Sequence, residues 1–104
     1  MKGTEKQIRY ATDIINKTIA RIEDCIEKGT KKIESYEASM QNAIPGYRDN
    51  SNRKTLEAWI EVLAEFKAAE WESASQVIDF ENSFGMYRYC SEAVCEITGN
   101  GSKI

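Results

Sequence analysis

The side chains with the most chemical potential in this chain are carboxylates. Glu57, Glu61, Glu65 and Glu72 fall within about 80° of one another if their segment is helical, at ~100° per residue. Glu57 has Arg53 and Lys54 nearby, but Glu61 and Glu65 have no Lys or Arg three or four residues away on either side. Like charges at that spacing cost a helix about 0.2–0.5 kcal/mol per pair. Such a row is either a solvated face or a surface held ready for something cationic. It is poorly suited to acid–base catalysis, because an outer helix face lacks the apolar pocket that lifts the pKa of a general acid.

Other catalytic chemistry has little to work with. The chain has no histidine, so the commonest general base and the commonest metal ligand are both missing. Cys25, Cys90 and Cys95 form no C-x-x-C pair, and Cys90 and Cys95 stand about 140° apart on a helix. An odd cysteine count without a secretory leader predicts free thiols in a reducing compartment. No nucleophile elbow, phosphate loop or dinucleotide fingerprint is present. The expectation is a protein with no catalytic residues, no cofactor, no metal and no small-molecule substrate.

Two further constellations point to binding. Lys6, Lys17, Arg21 and Lys28 lie within about 60° of one another on the first helical segment, and Lys31 and Lys32 extend them. They are the candidate phosphate contacts. Phe80, Phe84, Met86, Tyr87 and Tyr89 form a dense aromatic run. Tyr87 fits the apolar stripe of its segment, whereas Met86 and Tyr89 lie off it. Exposed Tyr and Met are frequent interface anchors, so Phe80, Met86, Tyr87 and Tyr89 are candidate partner contacts.

Helices must carry all of these residues. The chain has 104 residues, a length that suits a single domain spanning 1–104. It is 41% apolar and 30% charged, which places it with folded globular chains rather than disordered ones. Thr4 and Gln7 make a capping box, and Ile8, Ala11, Ile15, Ile19, Ile22 and Ile26 follow at helical spacing as far as Gly29, the expected stop. A second helix is predicted from about Lys31 to Asn42, with Ile33, Tyr36, Met40 and Ala43 as its stripe. It ends at Ile44-Pro45-Gly46. A third starts near Ser51 or Asn52 and buries Leu56, Trp59, Ile60, Leu63 and Phe66. An irregular break is expected near residues 73–80. A fourth helix runs from about Glu81 to Thr98, stops at Gly99 and buries Phe84, Tyr87, Cys90, Val94 and Ile97. The tail 99–104 is expected to fray. The fold class is all-α, four-helix bundle-like.

The run Gly3-Thr4-Glu5-Lys6-Gln7-Ile8, then Tyr10-Ala11, then Asp13-Ile14, resembles the opening of small uncharacterised helical proteins of Gram-positive phages and mobile elements. Their usual opening is Thr-Glu-Lys-Gln-Ile, an aromatic residue, Ala, an acid, Asp, Ile. Ala74-Ser75-Gln76-Val77-Ile78-Asp79 resembles a later segment of the same proteins, although Phe80-Glu81 stand here where Asn-Arg is usual. The resemblance implies a mobile-element setting and a helical fold, and no reaction.

The net charge of −3 argues against general nucleic-acid binding. No 18-residue apolar run exists to cross a membrane, and the expected location is the cytoplasm of a bacterial host. The functional expectation is a non-enzymatic binding protein that inhibits a host defence system stoichiometrically, such as a CRISPR nuclease, by covering a host or phage protein. The alternatives are an accessory protein that meets nucleic acid through the basic face, and a small regulatory homodimer.

Overall fold

The computed structural model describes residues 1–99, so the expectation for the tail beyond Gly99 lies outside the described residues. Four helices account for about four fifths of them: α1 (Glu5–Gln41), α2 (Asn50–Ala68), α3 (Ala74–Ser83) and α4 (Met86–Thr98). The fold is all-α, and no strand occurs among the described residues; one isolated bridge joins Lys2 to Ser73.

The start of α1 follows the capping chemistry. Gln7 N–H donates to Thr4 Oγ1 at 3.1 Å, and Thr4 N–H donates back to Gln7 Oε1 at 3.0 Å. The helix does not stop at Gly29. It continues for 37 residues, absorbing the separate second helix expected over 31–42. Gly29 has ordinary helical backbone, and a Cβ placed there would meet Leu56 Cδ1 at 3.4 Å. A methyl there would come into ordinary contact with α2, so the position lies at the α1–α2 seam.

Past α1, Ala43 and Ile44 N–H groups close on Met40 O, and Gly46 turns the chain with φ 81°. Asp49 caps α2: Asn52 N–H reaches its Oδ1 at 3.3 Å, and Asn52 Nδ2 reaches Oδ2 at 2.7 Å. The cap precedes Ser51 and Asn52, so α2 begins earlier than its sequence suggests. It then lies antiparallel to α1, with Lys67 bonded to Glu23 at 3.1 Å.

The irregular stretch after α2 covers 69–73, the near edge of the expected break, and residues 74–80 are helical. Ser73 caps α3 by accepting from Gln76 N–H at 3.2 Å. The chain's second residue holds this connector in place: Lys2 N–H donates to Glu72 O, and Ala74 N–H to Lys2 O at 2.7 Å. The fourth helix expected over 81–98 is divided at Phe84 and Gly85. Gly85 has φ 104°, a conformation open to glycine and strained for other residues. Glu81 Oε1 then accepts from Met86 N–H at 2.8 Å, which satisfies a free donor at the start of α4.

This division corrects the predicted stripes. Ala11, Ile14, Ile22, Ala58, Val62, Phe66, Ala74, Val77, Met86, Cys90 and Val94 form the core cluster. Met86, Cys90 and Val94 follow one another at i+4 on α4, whereas Phe84 and Ile97 are exposed, because the turn at Gly85 resets the rotation of the last helix. Ile60 on α2 is also exposed and Leu63 only half-buried, since α2 packs on α1 and α4 through Ala58, Val62 and Phe66. Tyr36 and Ala43 are likewise exposed.

The molecule is long. Its radius of gyration is 17.1 Å, against about 13 Å for a compact chain of roughly 100 residues. The cause is α1, about 55 Å at ~1.5 Å per residue, which sets the 59 Å long axis. Helices of 10 and 13 residues, α3 and α4, cannot accompany it throughout. They pack near its first half, and beyond Gly29 the partners of α1 come from the 42–56 segment.

Candidate functional site

Glu57, Glu61 and Glu65 are exposed along α2, one turn apart, over about 12 Å at ~1.5 Å per residue. None pairs with a cation among the described residues. Glu72 does not extend this row. The helix ends at Ala68, and Glu72 lies in the connector, where its carbonyl holds Lys2.

The basic face of α1 differs in kind. Lys17 binds Asp13 and Lys28 binds Asp24, each at 3.0 Å, and Lys31 binds Glu27 at 3.2 Å. Asp24 also holds the Lys28 ammonium above its ordinary pKa, by hydrogen bond and by charge. Arg21 stacks its guanidinium 3.7 Å from the Tyr87 ring centroid. Lys6 and Lys32 have no acidic partner among the described residues. Exposed pairs of this type contribute little to stability, but each places an acid beside a cation and weakens the local field.

The aromatic run separates into two groups. Met86 is fully buried, so it belongs to the core and presents no surface to a partner. Tyr87 is half-buried in a junction of three helices. It stacks on Trp59 at 5.6 Å and 23°, lies beneath Arg21, and shares a 3.3 Å hydrogen bond with Cys25 Sγ. That bond raises the Tyr87 pKa. Phe80 and Tyr89 turn the other way, as does Phe84. The Phe80 ring lies 5.5 Å from Tyr89, nearly perpendicular to it, and 6.3 Å from Trp71.

Trp71, Phe80 and Tyr89 line a cavity of about 380 Å³ between α2, α3 and α4, whose wall also includes Glu65. Trp71 Nε1 is the buried side-chain donor without an acceptor among the described residues. An unsatisfied donor of this kind costs about 1–3 kcal/mol. A second cavity, about 260 Å³, opens between α1 and α2 beside Gly29, Leu56 and Trp59 and contains Lys32 and Asp49. A third, about 240 Å³, contains Lys17, Arg21, Asp13 and Glu81.

Sequence reasoning missed one polar cluster. Glu37 is buried and accepts from Arg53 through both carboxylate oxygens, one contact at 2.6 Å, and from Asp49 N–H at 2.7 Å. Arg53 first, then the Asp49 N–H, holds the Glu37 carboxyl down at about pKa 2. The available signal was phase: Glu37 is one turn beyond Ile33 on the inward stripe of α1. This carboxylate clasps the loop and is fully occupied in doing so.

All three cysteines are free, and burial pushes Cys90 up to about 11, which keeps it neutral. Among the described residues no cluster of Cys, Asp and Glu could hold a metal ion, and no helix is long and apolar enough to cross a membrane. Comparison of the chain with family models, with curated proteins and with solved structures returns no match in any of the three.

Proposed function

We propose that this chain is a non-enzymatic binding protein of a phage or mobile element that covers a cationic surface of a host or phage protein. Its sharpest form is a stoichiometric inhibitor of a nucleic-acid-directed host defence system, such as a CRISPR nuclease. The observation that carries the reading is the contrast between the two charged faces. Glu57, Glu61 and Glu65 stand in the open along α2 and form no ion pair among the described residues, whereas Lys17, Lys28 and Lys31 each hold an acid. The mobile-element setting rests on the resemblance of the Thr4–Ile8 opener. Carboxylates at ~6 Å steps match only loosely a strand whose phosphates advance about 3.4 Å per nucleotide. The row's negative charge, rather than its spacing, is what suits a cationic channel.

A non-catalytic reading fits the chemistry nearby. The thiol that shares a cavity with Glu65 is Cys90, held neutral by burial, and Glu37 is consumed by Arg53. Direct phosphate binding by Lys6, Lys17, Arg21, Lys28, Lys31 and Lys32 ranks second because three of these cations are locally paired and Arg21 lies on Tyr87.

The test is a pull-down from host lysate with wild type and with the double variant Glu57→Lys, Glu61→Lys. Both positions are exposed, so the variant keeps its helical spectrum and melting temperature. One host protein should be enriched by wild type at low salt, less at high salt, and lost with the variant, since like-charge contact at an interface costs several kcal/mol. Unchanged capture by the variant removes the acidic row from the account. Co-purified nucleic acid in place of a protein favours the basic face.

A further inference from the structure

We propose that the cavity between α2, α3 and α4 is a receptor for the guanidinium of an arginine side chain on a protein partner. The inference rests on the reading that α2 faces a cationic protein, and it names the contact that gives that encounter its specificity.

Three observations select this cavity and this ligand. First, its lining residues include three aromatics, Trp71, Phe80 and Tyr89, and one acid, Glu65. Aromatic faces attract a cation through the ring quadrupole, and a carboxylate at the same site supplies a charge-assisted hydrogen bond. Second, it is the one cavity of the three described whose wall has an acid and no cation. The α1/α2 cavity contains Lys32 beside Asp49, and the cavity near Tyr10 contains Lys17 and Arg21 beside Asp13 and Glu81. Those two are internally compensated, whereas this one is complementary to a cation from outside. Third, the chain already recognises guanidinium groups in this way. Arg21 lies 3.7 Å from the Tyr87 centroid, and Arg88 lies 4.8 Å from that of Phe84, whose ring adjoins Phe80.

Arginine fits better than lysine. A guanidinium is flat and weakly hydrated, stacks on a ring and meets a carboxylate through two N–H groups at once. At about 380 Å³ the cavity is at the small end of ligand sites and suits one side chain. The occupant belongs to a protein rather than being a free small cation, because Glu61 and Glu57 continue the acidic surface along α2 away from the cavity. A single small cation leaves those acids unmet.

The test uses N-acetyl-arginine amide and its neutral isostere N-acetyl-citrulline amide, titrated into the full chain and followed by NMR. Two indole N–H signals report separately: Trp71 in the receptor, and Trp59, which lines the separate α1/α2 cavity, as an internal control. The arginine probe should move the Trp71 signal saturably and leave Trp59 in place. Citrulline should bind about tenfold more weakly, because it keeps the shape and loses the charge-assisted bonds. Glu65→Gln should weaken the arginine probe about as much, and Tyr89→Leu should weaken it through the lost ring. Both side chains are exposed, so both variants should melt like wild type. Equal binding of arginine and citrulline overturns the receptor, as does equal movement of the two indoles or a shift that never saturates. This titration contains no host protein, so it stands or falls apart from the pull-down. Probe binding without host capture leaves the receptor intact and removes the partner reading, and the reverse result removes the receptor alone.

Discussion

The two ends of this molecule are held together by different forces. At one end, the first half of α1, the second half of α2, and α3 and α4 enclose Ile22, Val77, Met86 and Cys90, all fully buried. At the other, the second half of α1 and the start of α2 form a two-helix hairpin that buries far less. There Ile33 is the buried apolar side chain, and Glu37 and Asp49 are buried beside it. Two helices cannot surround a core, so the hairpin closes instead on Glu37, Arg53, Asp49 and Asn52. Apolar burial has no proton to gain or lose, whereas an ion-pair clasp depends on its carboxylate staying charged. One chain therefore has an end that resists changes in pH and an end that answers to them.

The largest effect expected from breaking this contrast lies in the four-helix end. Ile22→Ala removes a side chain that is fully buried where α1 meets the other helices. It should cost about 2–5 kcal/mol in thermal or denaturant unfolding. The half-buried Leu63, truncated to Ala, should cost clearly less. Equal losses at the two positions would mean that the core is not centred on Ile22 and Val62.

Acid should act on the other end. The Glu37 carboxyl sits at about 2 in the folded chain against an ordinary value of 4.5, lowered chiefly by Arg53. A folded pKa below the unfolded one gives stability that is complete above about 4.5 and is lost as the pH falls towards 2. Hydrogen-exchange protection, corrected for intrinsic rates, should therefore fall between pH 6 and pH 3 for amides in 30–56, and fall less for those in 74–94. Glu37→Gln should lower hairpin protection at pH 6 and remove most of its pH dependence. A parallel loss of protection at both ends would show that the clasp does not govern the hairpin on its own.

The same contrast separates what could be read in the sequence from what could not. Local, chain-neighbour chemistry was legible: the Thr4–Gln7 box, the turn at Gly46 after Pro45, and the left-handed Gly99 that closes α4 with φ 77°. The core of α1 was mostly legible through its isoleucine period, although Ile14 and Thr18 share the innermost positions with Ala11 and Ile22. Thr18 is tolerated there because its hydroxyl bonds to Ile14 O at 2.9 Å. Long-range compensation was not legible. Glu37 reads as a surface acid until Arg53 arrives from 16 residues away. Gly85 reads as a weak helix residue until its backbone angle is known. Of the acidic row, Glu57, Glu61 and Glu65 stay in line because they lie within one helix. Glu72 and Met86 left their predicted surfaces when the helices were divided at 69–73 and 84–85.

Gly29 gives the smallest and most discriminating test, because sequence and fold demand opposite signs. As the last residue of a helix in left-handed geometry, it would lose about 1 kcal/mol or more on substitution by alanine. In the middle of α1 its φ is not positive, so alanine fits the backbone and gains about 0.8–1.0 kcal/mol of helix propensity. Against that gain stands one contact. The new methyl would meet Leu56 Cδ1 at 3.4 Å, the close edge of ordinary packing, and Leu56 is a flexible, half-buried side chain able to yield. The gain should prevail, and Gly29→Ala should raise the melting temperature by a few degrees, at roughly 4–8 °C per kcal/mol for a domain of this size. The rise should appear as added protection in 26–36, where α1 crosses from the apolar end into the hairpin, and leave α3 and α4 as they were. A drop in melting temperature would mean either that Leu56 cannot move or that α1 is broken at Gly29. Adding Gly29→Ala to a Leu56→Ala background separates the two: measured against Leu56→Ala alone, relief of the contact restores the gain in a continuous helix and does nothing for a broken one.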